Sequence, residues 1–129
     1  MKKNYLLLAV LLFISPLFLK AQVATLSEKE TLSLLCYKWE VTKIQSFQGV
    51  MKVKPRGDYT MFNSDFTMES KEDDKIKKSK WSFSFPEKKV TFEDDGSVYK
   101  IMDLSTSELH LKGKWSGEMV VLILKRVTK

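Results

Sequence analysis

Apolar and polar residues alternate in short runs along most of the chain after residue 58. The runs read DYTMFN (58–63), DFTMES (65–70), KWSFSF (80–85), KKVTFED (88–94), SVYKIMDL (97–104) and ELHLKGKW (108–115). A strongly apolar segment, EMVVLILKRV (118–127), closes the series. A period of two is the mark of a half-buried β-strand. It is plainest where Trp81, Phe83 and Phe85 are spaced by Ser82 and Ser84, and it recurs at Val90 and Phe92 and at Leu109 and Leu111. The segment 119–124 is apolar on both faces, which predicts a strand covered outside by a helix or a partner. Which face of 58–63 and 98–104 points inward is left open by the pattern.

The joints are short. Asn63-Ser64-Asp65, Pro86-Glu87, Asp94-Asp95-Gly96, Thr106-Ser107 and Ser116-Gly117 use residues that tolerate turn dihedrals or bond their own backbone. Antiparallel strands can be joined this tightly, whereas parallel strands need long crossovers. The charged segment 71–79 (KEDDKIKKS) predicts a solvated hairpin loop. Residues 46–57 (SFQGVMKVKPRG) are broken by Gly49, Pro55 and Gly57, yet Phe47, Val50, Met51 and Val53 make them apolar. They predict either a short edge strand at 50–54 or a flap over one end of the sheet.

Upstream, Ser27-Glu28-Lys29-Glu30 spells a capping box, and Leu32, Leu35 and Cys36 follow at helical spacing. A short helix is expected over 28–36. Residues 37–45 then alternate as a first strand, with Trp39 and Val41 on one face and Lys38, Glu40 and Thr42 on the other. The count is eight antiparallel strands joined up and down. An even number can close into a barrel without free edges. The expected fold is therefore all-β, an eight-stranded up-and-down barrel with a short N-terminal helix.

The first residues change the reading of the composition. Lys2 and Lys3 precede an apolar run from Tyr5 to Leu19, and Leu19-Lys20-Ala21 offers a cleavage site before Gln22. This is the layout of a secretory leader. The run is shorter than the ~20 residues a spanning helix needs, and Pro16 interrupts it. Residues 1–21 are thus expected to be a signal peptide and 22–129 a single barrel domain, exported to the periplasm or beyond, with no membrane span after cleavage. The only cysteine, Cys36, follows Leu35 and stands past a charged stretch, which argues against a lipidated N-terminus. Without Lys2, Lys3 and Lys20 the 22 Lys+Arg become 19 against 16 Asp+Glu, a net charge of +3. Such a mixed surface lacks the dense basic stripe of a nucleic-acid binder. One cysteine allows no internal disulfide, so packing must supply the stability. Cys36 reads as a small buried apolar residue.

With these residues in place the chain resembles the bacterial lipocalin-like domain proteins. The resemblance rests on Leu35 and Trp39 after a short helix, the aromatic-rich hairpins, Lys80-Trp81-Ser82 opening a middle strand, the Asp95-Gly96 turn and the closing LILKR. It implies that Trp39 sits at the base of the barrel with Arg126 (or Lys125) crossing its ring. Tyr37 stands where the lipocalin pattern has glycine. The resemblance also implies a closed base at the helix end and an open mouth at the rim of 46–57, 71–79, 94–97 and 115–118.

Catalytic and metal chemistry is sparse. His110 is the only histidine and alternates with Leu109 and Leu111, so it is expected to face solvent, and no histidine-based metal cluster can form. Ser97-Val98-Tyr99-Lys100 matches an S-x-x-K string. That motif works on a helix turn, and here the context is a strand. Glu72-Asp73-Asp74 and Glu93-Asp94-Asp95 lack the spaced oxygen ligands of a calcium loop. The expectation is no enzyme, no metal and no cofactor.

Two function classes remain. The first is a secreted binding protein whose barrel takes a small apolar or anionic amphiphilic ligand. Its candidate lining is Met61 or Phe62, Met68, Trp81, Phe83, Phe92, Ile101, Leu111 and Val121. Lys52, Lys54, Arg56, Lys75, Lys77 and Lys78 would stand at the mouth against Glu72, Asp73, Asp74, Asp94 and Asp95. The second is a protein-interaction or inhibitor module with a filled barrel, acting through the 46–57 segment or an exposed face at Val120, Leu122 and Leu124. A barrel of eight strands is narrow enough to be filled by its own side chains, so the sequence does not choose between them.

Overall fold

The computed structural model describes residues 25–128; the expected leader and its cleavage point lie outside them. The first element is the helix α1 (Glu28–Leu35). Its start is fixed by the capping box: Glu30 N–H donates to Ser27 Oγ at 3.1 Å, and Ser27 N–H donates to Glu30 Oε1 at 3.1 Å. Two of the backbone donors that a helix start leaves unpaired are met in this way. Thr31 and Leu35, one turn apart, are fully buried, while Leu32, Leu34 and Cys36 are half-buried against the core. Thr31 is tolerated there because its hydroxyl donates to Ser27 O at 2.8 Å.

Nine strands follow: β1 (Lys38–Ser46), β2 (Gly49–Lys52), β3 (Tyr59–Phe62), β4 (Thr67–Glu72), β5 (Lys75–Ser84), β6 (Lys89–Phe92), β7 (Ser97–Leu104), β8 (Glu108–Trp115) and β9 (Glu118–Arg126). Every neighbouring pair is antiparallel, and β1 also pairs β9 from Trp39↔Arg126 to Gln45↔Val121. That pairing closes an eight-stranded barrel of β1 and β3–β9, as the alternating pattern predicts. The ninth strand, β2, lies outside the closed ring. It pairs with the last four residues of β1 (Lys43↔Lys52 to Ser46↔Gly49), whereas β3 pairs with the first two. Segment 46–57 is therefore an edge strand that also leans over the mouth.

Segment 71–79 is not a loop. β4 and β5 run through it and turn on Asp73-Asp74 alone, both at positive φ (51° and 65°). The ladder here is held by opposite charges set across from each other, Glu69↔Lys78 and Glu72↔Lys75, a favourable cross-strand arrangement. The helix departs from expectation as well. It packs at the barrel's end, beside β7, and does not cover the outside of β9. On β9, Val120, Leu122 and Leu124 face inward, paired with Gly113, Leu111 and Leu109. They are not an exposed outer patch.

Two bulges interrupt the alternation. In β1 the register shifts at Thr42, so Trp39, Val41 and Ile44 all face inward, and the Thr42 hydroxyl donates to Ile123 O at 3.1 Å. In β7 it shifts at Met102, so Ile101 and Leu104 are buried while Met102 is exposed. Bulges bend a strand, and here they help it curl into a closed ring.

Several turns are pinned by carboxylates. Asp65 Oδ1 accepts from the Thr67 hydroxyl and N–H at 2.6 and 3.0 Å, and Asp95 Oδ1 accepts from Ser97 N–H at 2.9 Å. The Thr67 bonds hold Asp65 below its ordinary value of 3.8, the Ser97 N–H does so for Asp95, and the Ser27 N–H lowers Glu30 from 4.5. A carboxylate depressed in the folded state stabilises it above the unfolded pKa and stops doing so as pH falls through the folded value. The thermal midpoint should thus stay level from neutral pH down to about the ordinary carboxylate range of ~4, then fall as pH drops further. A midpoint unchanged through strong acid would refute this.

Candidate functional site

The barrel has two ends. The base holds α1 and the turns 63–66, 85–88 and 105–107; the mouth holds β2 and the turns 73–74, 93–96 and 116–117. Trp39 lies near the base. It is fully buried, and its indole Nε1–H donates to Leu35 O at 2.9 Å, tying the first strand to the end of the helix. Arg126 is its register partner, but the guanidinium does not cross the Trp39 ring. It stacks on Tyr37, 3.4 Å from the ring centroid, and reaches Thr106 O at 3.4 Å. The tyrosine at the position where glycine was expected supplies a more accessible aromatic face, and the cation takes it.

Above Trp39 a cavity of about 470 Å³ opens toward the mouth. Its apolar lining comes from Trp39, Val41 and Ile44 of β1, Met51 of β2, Phe92 of β6, Tyr99 of β7, Trp115 of β8 and Leu122 of β9, with Val53 beyond β2. Two small polar residues face each other inside it, Thr60 on β3 and Ser70 on β4. Neither hydroxyl makes a hydrogen bond among the described residues. Small side chains here, in place of the bulky ones on neighbouring strands, leave the space.

Charged groups edge the opening. Arg56 is held by Asp58 at 3.3 Å and Asp73 at 3.4 Å, and Lys71 lies 3.9 Å from Asp74. Lys77 pairs with Asp94, whose hydrogen bond raises the lysine above its ordinary value. Lys54 also lines the cavity and has no ion pair among the described residues. Glu118 stands across from Trp115 at the start of β9, and its Oε1 is shielded from solvent without a hydrogen-bond partner among the described residues. Burial is the main cause of a raised Tyr99.

Of the residues expected to line a site, Phe92 does line this cavity. Phe62, Met68, Trp81, Ile101 and Leu111 are buried core residues, and Phe83 packs half-buried against them. Phe62 meets Trp81 edge-on at 5.0 Å between ring centroids. Met61 pairs with Lys38 and Glu69 on the outer face. Val121 also faces outward, opposite Gln45 and Lys112. Because β9 is apolar on both faces, the hydrophobic pattern does not distinguish Val121 from the inward-facing Val120 and Leu122. His110 is half-buried rather than free in solvent, with Nε2 3.0 Å from Glu108 Oε1.

Gly113 shapes the upper wall. It faces inward opposite Tyr99, and a Cβ placed on it would lie 2.7 Å from Val98 O and 2.8 Å from Tyr99 Cε1. The Tyr99 ring therefore lies against bare backbone. Gly113→Ala is expected to cost about 1–3 kcal/mol through overpacking and to push that ring toward the cavity. Urea unfolding would measure it; an unchanged midpoint would show that the ring yields freely.

A second depression, about 800 Å³, lies at the base between α1 and the 63–66 turn. It is larger, but it is a surface groove between two elements. Cys36 lines it, and burial raises the thiol above its ordinary value, which disfavours the reactive thiolate. The mouth cavity is the better candidate because side chains of most barrel strands converge on it. Among the described residues no group of three or more His, Cys, Asp or Glu is placed to hold a metal ion. No protein-family model, curated protein or solved structure matches the chain.

Proposed function

We propose that the protein is an exported, non-enzymatic barrel of lipocalin-like kind that holds a small apolar or anionic amphiphilic molecule in its mouth cavity. The observation that carries the reading is the cavity itself. Its volume of about 470 Å³ falls within the range of small-molecule sites, and apolar and aromatic side chains line it together with Thr60, Ser70 and charged residues of both signs, among them Lys54, Arg56, Asp58 and Glu72. An apolar tail would lie against Val41, Phe92, Tyr99 and Leu122. The Thr60 and Ser70 hydroxyls would meet a polar atom along it, and Lys54 would face an anionic head. Export is supported by Lys2, Lys3 and the apolar run that follows them.

Trp115 makes the reading testable. It lines the cavity yet is half-exposed at the rim, so a bound tail should dry its surroundings. Titration with fatty acids of graded length should shift tryptophan emission to the blue, and Trp115→Phe should remove most of that change. Lys54→Gln should weaken carboxylates more than alcohols of equal length. No response to any tail length, with the fold intact, would contradict the reading.

A further inference from the structure

The outer wall of β7, β8, β9, β1 and β2 carries an unusual charge pattern. Lys43 lies directly opposite Lys52, and Lys100 directly opposite Lys112. Like charges in cross-strand pairs destabilise a sheet. Lys114 continues the band toward the mouth, opposite Met119. None of these five lysines has an ion pair among the described residues. Of the acidic mouth turns, Asp73-Asp74 belongs to the opposite wall, while Asp94-Asp95 joins β6 to the edge of this wall at β7, with Asp94 paired to Lys77 and Asp95 accepting from Ser97 N–H. At the mouth end of the lysine wall, two neighbouring hairpin tips expose apolar side chains: Phe47 (83% exposed), Val50, Trp115 and Met119.

We infer that this wall docks on an anionic phospholipid surface, with Phe47 and its apolar neighbours entering the headgroup boundary and the lysines facing the phosphates. An anionic surface would relieve the repulsion within the two lysine pairs. The apolar tips favour a bilayer over a nucleic acid, because Val50 and Met119 have no aromatic face to stack on a base, whereas a headgroup boundary takes them together with Phe47. The cations are all lysine, compact point charges without the planar fork that arginine uses for bidentate recognition. No aromatic side chain stands between the lysines to stack a base. The inference is independent of whether the cavity holds a ligand.

The test is co-sedimentation of the chain from Gln22 onward, which contains the whole closed barrel. The vesicles are phosphatidylcholine alone or phosphatidylcholine with phosphatidylglycerol, at low and high salt. Binding should require phosphatidylglycerol and weaken with salt. Lys43→Glu with Lys112→Glu should reduce it by at least roughly fivefold per lysine. Phe47→Ser should weaken it while keeping its salt dependence. Lys80→Glu, exposed on the opposite wall across from the uncharged Thr67, should leave it unchanged. Circular dichroism checks that each variant is folded. Equal binding to phosphatidylcholine alone, an equal loss in the opposite-wall variant, or binding to single-stranded DNA without binding to vesicles would each overturn the inference.

Discussion

Trp39→Ala should cost about 3–5 kcal/mol, the range for emptying a fully buried tryptophan site. That is a large part of the ~5–15 kcal/mol that holds a typical domain together, so the variant should be mostly unfolded or close to it. The size follows from position. Trp39 is fully buried, it joins β1 to the end of α1 through the Leu35 carbonyl, and it lies at the seam where β1 meets both β3 and β9. Trp39→Phe separates the contributions. It keeps a ring in the site but removes the indole donor; the Leu35 carbonyl still accepts from Tyr37 N–H at 2.7 Å, so the cost should be only about 0.5–1.5 kcal/mol. Urea unfolding of both variants measures the difference. If Trp39→Ala unfolds with nearly the wild-type midpoint, closure of the base does not depend on this residue.

Ser70→Phe should act in the opposite sense on stability and strongly weaken binding. Ser70 faces the cavity beside Thr60 and makes no hydrogen bond there, so a phenyl ring can occupy the space without stranding a partner. Filling a natural cavity commonly stabilises by about 0.5–2 kcal/mol. Occupying the site of the tail should lower affinity by about a hundredfold, equivalent to ~2.7 kcal/mol. Thermal melting and the tryptophan titration, run on the same sample, read both. A variant that gains stability yet binds as before would place any ligand elsewhere.

Much of the barrel is legible in the chain because two signals agree. The alternation of Trp81, Phe83 and Phe85 marks a strand, and Ser116-Gly117, both at positive φ (54° and 80°), marks the turn before the last one. The capping box at Ser27 is present as written. What the chain hides has specific causes. In KEDDKIKKS only Ile76 is apolar, so hydrophobic periodicity is silent, and the strands there are paired by charge. The faces of β7 and the end of β1 are scrambled by bulges at Met102 and Thr42, each of which breaks a strict period of two. In β9 the hydrophobic signal is equal on both faces. Val121 and Ile123 face outward with Gln45, Lys112, Lys43 and His110 as cross-strand neighbours. Long side chains of this kind can lay their stems over apolar neighbours. The cavity was harder still to read. Its space is made by Thr60 and Ser70, which look like ordinary half-exposed strand residues until the register turns them inward.

The most direct measurement is native mass spectrometry, with lipid extraction, of the protein purified from the cell that makes it. The account predicts an added mass of one small hydrophobic molecule, lost on extraction and absent from Ser70→Phe. A clean unliganded mass, together with no tryptophan response to any tail length, would contradict the claim that this barrel is built to carry one.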